Sequence, residues 1–248
     1  MRFHFQPSGN GEREWNDDVA KEYINQSQNR FPSTEFVVQQ EFRIETNPEK
    51  KTQRAGNTSP KFSEVYARNE NRNEVFGVGL NYFTYHELRL GKDFPHFQPV
   101  AESAFGLLPG YIEFWKPEKI KHISLLYLDL VEIPLTAFDL DDYFHLGIKF
   151  PDKFGSVTDF ESRFSFPGER KHTQLDIIFQ KIPVRTGESV TRFHIHWNCQ
   201  RSEINTLDSD KIREEMDALH EYVRECFEAG FTEKCKKLFQ PVAEKEQA

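Results

Sequence analysis

The stretch RFHIHWNCQ, residues 192–200, decides the fold. With Thr191 in front of it, Phe193, Ile195, Trp197 and Cys199 fall on one side of an extended chain, and Arg192, His194, His196 and Asn198 fall on the other. That period of two belongs to a half-buried strand. Such a strand needs a cover for its apolar side and partners along its edges.

The cover follows directly. From Asp208 to Ala229, Ile212, Met216, Leu219, Val223 and Cys226 recur at alternating spacings of four and three, one apolar stripe of a helix. Asp208 is the expected N-cap, and Gly230 is placed for a left-handed C′ residue. Thr232 is expected to cap a further short helix, and Pro241 ends the ordered part.

The partners lie upstream. Asp159 to Phe166 and Thr173 to Ile182 alternate in the same way, separated from each other by a PGERK turn and from Thr191 to Cys199 by an RTGES turn. Ile120 to Ile133 reads as a long strand, followed by a short helix beginning at Leu140.

The first half has the same order of elements. RFHFQP is a short strand, and a helix capped by Asn16 or Asp17 runs to Phe31-Pro32. Thr34 to Glu45 alternates as a strand. Residues 46–60, TNPEKKTQRAGNTSP, read as a loop. Ser63 to Arg68 and Glu74 to Tyr85 are strands joined by NENRN, and a helix over Pro99 to Trp115 should break or kink at Pro109-Gly110.

Short turns between consecutive strands make antiparallel pairs, and the amphipathic stripes put the helices on one face. The expected class is α+β: a single curved antiparallel sheet with helices on one face, saddle-like or helix-grip-like. It would form one domain over residues 1–241, in two pseudo-repeated halves (strand, helix, three strands, helix) of about 1–117 and 118–241, with 242–248 a disordered tail.

Composition narrows the function. Of 248 residues 37% are apolar, but 24 are Phe, so the core is expected to be aromatic. Three cysteines without a C-x-x-C pair fit reduced thiols. No stretch approaches the ~18 apolar residues of a membrane helix, and the start lacks a signal-peptide pattern, so a cytoplasmic protein without a membrane is expected. The net charge of -8 disfavours sequence-independent nucleic-acid binding and accommodates a protein partner more easily.

Two histidines at i and i+2 of a strand point the same way, as a zinc site or an acid–base pair requires. A third ligand is needed for zinc, and only Asp176 on the neighbouring strand offers one. A contact surface accounts for the alternation without further assumptions. Arg163, Asp176, Arg192, His194, His196 and Asn198 are therefore read as a binding face, with no catalytic residue, metal or cofactor assigned. Phe83 and Tyr85 are added as exposed aromatics, able to stack on bases should the face bind nucleic acid or another ligand. Phe76-Gly-Val-Gly lacks the third glycine of a dinucleotide fingerprint; Gly77 and Gly79 are expected to bend the sheet or admit a helix.

Several words of the chain carry a resemblance: the Trp-initiated helix closed by Phe-Pro (Trp15 to Pro32), GVGLNYFTYHEL (77–88), LLYLDLVEIP ahead of DDYF (125–134 and 141–144), and the closing LHEYVRECFEAGFTEKCKKLF (219–239). Together they resemble a sporadically distributed bacterial family of similar length, of the kind found in defence or toxin–antitoxin gene neighbourhoods. The resemblance implies a protein partner encoded nearby and transfers no catalytic residue.

Overall fold

In a computed structural model of the chain, which describes residues 1–7, 15–39, 42–47, 52–57, 61–88, 96–134, 139–145, 159–184 and 187–239, the stretch around His194 is one long strand, Val190–Thr206. The strands in chain order are β1 (Arg2–Gln6), β2 (Ser33–Gln39), β3 (Phe42–Asn47), β4 (Thr52–Asn57), β5 (Lys61–Arg68), β6 (Glu74–Gly79), β7 (Tyr82–Glu87), β8 (Lys119–Pro134), β9 (Phe160–Pro167), β10 (Thr173–Ile182) and β11 (Val190–Thr206). The helices are α1 (Asp17–Gln26), α2 (Phe97–Trp115), α3 (Ser209–Gly230) and α4 (Glu233–Phe239), with a 3₁₀ turn at Leu140–Asp142. The class is α+β. Nine strands follow the order β2-β5-β6-β7-β1-β8-β11-β10-β9 in a sheet that does not close, and β3 pairs with β4 alone.

The chain divides into two compact units. The first comprises β1 through β7, α2 from Gln98, and β8 as far as Ile120; the second runs from Lys121 through α4 and includes Phe97. Residues 242–248 lie outside the described residues.

The core of the first unit is aromatic, as the composition predicts. Phe3, Phe31, Phe76, Phe83, Tyr85 and Tyr111 are all fully buried. Phe5 stacks on Tyr111 at 4.6 Å, and Phe31 meets Phe76 edge-on at 4.8 Å. Asn16 caps α1, its side-chain oxygen accepting from the backbone N–H of Asp18 and Val19.

Three expectations change here. The strand foreseen over Glu74 to Tyr85 is a hairpin, β6 and β7, reversing at Leu80 and Asn81. That foreseen over Thr34 to Glu45 is two strands, and the second, β3, pairs with β4 in register Asn47↔Thr52, so part of the expected 46–60 loop is strand. Helix α2 runs unbroken through Pro109. There Tyr23 packs into the space left by Gly110 and donates its hydroxyl to the Leu107 carbonyl at 2.9 Å.

In the second unit, β11, with Phe193, Ile195, Trp197 and Cys199 buried, packs against α3, whose stripe of Ile212, Met216, Leu219 and Val223 is buried too, and Leu175 and Phe179 of β10 are buried alongside. Asp208 caps α3 as expected, accepting from the N–H of Asp210 and Lys211. Gly230 does not take the left-handed role: it is the last helical residue, and a Cβ there would stand 3.3 Å from the Trp197 ring, so close packing is what it permits. All three cysteines are free thiols, and Thr232 caps α4 through the Cys235 N–H.

Candidate functional site

Among the described residues, the side of the second unit's strands away from α3 is half-buried to exposed. Strand β10 pairs with β11 in the register Asp176↔Asn198, Ile178↔His196, Gln180↔His194 and Ile182↔Arg192. On its other edge it pairs with β9, placing Arg163 opposite Ile178 and Ser165 opposite Asp176. Alternation then puts Arg163, Asp176, Arg192, His194, His196 and Asn198 on one face, as the sequence predicts.

They do not converge on a metal. The His194 and His196 rings are 6.4 Å apart, and the nearest cross-strand neighbour of His196 is Ile178 rather than Asp176. The Asp176 carboxylate is taken up by Ser165 Oγ at 2.7 Å, Gln174 Nε2 at 2.7 Å and Gln200 Nε2 at 3.3 Å. Among the described residues no group of three or more His, Cys, Asp or Glu could hold a metal ion. Partial burial, with His194 alongside, holds His196 below the ordinary imidazole range, against the opposing pull of Glu161.

The arginines are occupied too. Arg192 donates to Glu132 and to Glu188, both at 2.7 Å, and Arg163 donates to Glu161 at 2.9 Å. Phe83 and Tyr85 are not on any surface: both are fully buried in the first unit's core. Their position in β7 puts them on the helix-covered face, which the reading of 74–85 as one strand concealed.

Sequence reasoning missed the most unusual part of the open face. In LLYLDLVEIP of β8, Leu126, Leu128 and Leu130 are 45%, 60% and 52% exposed, while Asp129 between them is only 7% exposed. Hydrophobicity alone would choose the opposite phase, since slipping a strand by one residue exchanges its two faces. The observed phase is fixed by what lies on either side. Leu125, Val131 and Ile133 are buried, Tyr127 Oη is 2.8 Å from His220 Nδ1, and Trp197 Nε1 donates to Asp129 at 3.0 Å. On the outer side, Glu132 reaches Arg192, so the leucines share the face of His194 and His196. Glu132, in phase with the three leucines, was the one available signal.

Desolvation raises the Asp129 carboxyl to about 6, opposed by the Trp197 hydrogen bond. Holding a carboxyl inside while three leucines meet water is unfavourable on both counts.

Elsewhere in this unit a cavity of about 390 Å³ lies against α3, lined by Arg170, Arg201, Glu214, Asp217 and Tyr222 among others. Both of its arginines close on Glu215, so the described residues around it offer no free cation to an anionic ligand.

In the first unit, the atoms nearest to Gly77 and Gly79 are tyrosine and threonine side chains rather than a helix. A Cβ on Gly77 would come within 2.5 Å of the Tyr66 ring, and one on Gly79 would strike the Tyr82 ring. Each glycine makes room for a tyrosine lying across the sheet. Arg2 sits over the Tyr82 ring at 4.5 Å, and Tyr66 donates to Glu64 at 2.9 Å.

No protein-family model, curated protein or solved structure matches this chain. None of the described helices is long and apolar enough to cross a membrane.

Proposed function

We propose that the chain is a non-catalytic protein-binding subunit whose contact surface is the open face of β8, β11, β10 and β9. The observation that supports it most is the phase of β8: three leucines at 45–60% exposure on one side, beside His194 and His196, with Asp129 buried in their place. An apolar stripe rimmed by paired charges such as Arg192–Glu132 and by neutral polar groups such as Asn198 is the composition of a protein–protein contact, with an apolar centre and a polar rim. On the resemblance, the partner is a product of an adjacent gene in a bacterial defence or toxin–antitoxin set.

Co-expression with those products tests this. A partner retained by the native chain should be lost from Leu128→Asp and kept by Tyr66→Ala; retention by Leu128→Asp would refute the assignment.

A second reading rests on Tyr66 and Tyr82, laid across the first unit's sheet over Gly77 and Gly79 as stacking platforms for single-stranded nucleic acid. The net charge of -8 works against it. Salt-dependent binding of a labelled oligonucleotide, abolished in Tyr66→Ala, would favour this reading over the first.

A further inference from the structure

We infer that the chain pairs with a second copy of itself through strand β9, adding strand to strand across a twofold axis at Ser162. Among the described residues β9 ends the strand order, so one edge of its backbone has no strand beside it. An edge of this kind is a template for another strand unless something blunts it. The opposite edge is blunted, because β2 breaks register between Val37 and Val38 where it pairs with β5. Strand β9 has no such irregularity and holds register with β10 over eight consecutive pairs.

Its charges identify the occupant. Glu161 and Arg163 are the two charged side chains of the strand; they pair with each other at 2.9 Å within the chain and remain solvated, with 42% and 72% of the side chain exposed, so a second copy exchanges that pair for two across the edge. They stand symmetrically about Ser162. Two copies running antiparallel with Ser162 opposite Ser162 put Glu161 of each directly across from Arg163 of the other, and Phe160 across from Phe164. Directly opposed residues of antiparallel strands bring their Cβ atoms within about 5.5 Å, where opposite charges attract; Phe160 keeps its own packing against Phe179 and Phe193. A strand guarded against self-association would carry one sign of charge; this one is complementary to its own reversal. The contact is isologous and closes at two copies. Glu161 and Arg163 lie on the same face as the contact surface proposed above, but the pairing runs along the edge of β9 and not over the leucines of β8 on which that surface is centred.

Sedimentation equilibrium of the full chain over a concentration series tests it. The native protein should rise from 29.3 kDa toward twice that mass. Glu161→Arg and Arg163→Glu each place like charges opposite at both symmetric positions, and each should weaken association about ten-fold or more. An equimolar mixture of the two variants should recover it, because one then presents two positive side chains at these positions and the other two negative ones directly across from them. Both side chains are solvent-exposed, so circular dichroism should show the variants folded. A native chain that stays at monomer mass, variants that associate as well as the native chain, or a mixture that fails to recover would each overturn the pairing. Leu128→Asp should still self-associate, which separates failure here from failure of the partner surface.

Discussion

Replacing Asp129 with Asn removes the one charge that β8 drives into the core, and its effect follows from the carboxyl's displacement. Burial lifts that group from 3.8 to about 6. Because the folded pKa is raised, the folded state holds the proton more tightly than the unfolded chain does. The associated stability is therefore fully present below pH 3.8, declines as pH rises through the window from about 4 to 6, and is gone above it. At about 1.4 kcal/mol per pKa unit, ionised Asp129 costs about 3 kcal/mol at neutral pH. Asn still accepts from the Trp197 indole but brings amide hydrogens that need partners, a cost of about 1–3 kcal/mol if they find none. That cost is constant with pH, so the readout is the gap between the two proteins rather than either stability alone. Urea unfolding at a series of pH values should show the gap moving in favour of Asp129→Asn by about 2 kcal/mol between pH 4 and pH 7. A gap independent of pH would refute the reading of Asp129 as a buried, destabilising carboxyl.

Gly77→Ala should lower stability by about 1–3 kcal/mol, because its Cβ would press on the Tyr66 ring at 2.5 Å, and Tyr66→Ala in the same chain should recover part of the loss; equal losses with and without the Tyr66 ring would show that the space is not what matters. In a ¹H NMR titration His196 should have a midpoint below the ordinary 6.5, reflecting its partial burial and His194 alongside; a midpoint at or above that value would mean that Glu161 prevails.

Periodicity made α3 and the two strands under it legible because each buries one face only, and a single stripe admits one solution. The stripe from Ile212 to Val223 and the alternation from Thr191 to Cys199 lie against each other as read. The hairpin of β6 and β7 was less visible because its turn, Leu80-Asn81, is no Gly- or Pro-marked break and apolar residues continue on both sides. Phe83 and Tyr85 were thereby misplaced to the surface. The histidine face was legible as a face; what it faces was not, since the register that sets Ile178 and not Asp176 opposite His196 depends on how strands align. Strand β4 and the last two residues of β3 formed in a stretch that composition marked as loop, a case where pairing overrides propensity.

Strand β8 joins these threads, because there the preference of single residues and the preference of the strand disagree. Three leucines and a pair of β-branched residues compete for the inside. The β-branched pair, Val131 and Ile133, is buried, while on the same side Tyr127 meets His220 and Asp129 meets Trp197. A strand selected for stability alone would carry an apolar residue at 129 and polar ones at 126, 128 and 130, keeping the same phase at no cost. The sequence does the reverse at all four positions. The exposed leucines are thus not a consequence of the phase but an addition to it, which is why the proposed contact surface is centred on β8 rather than on the histidines that first draw the eye.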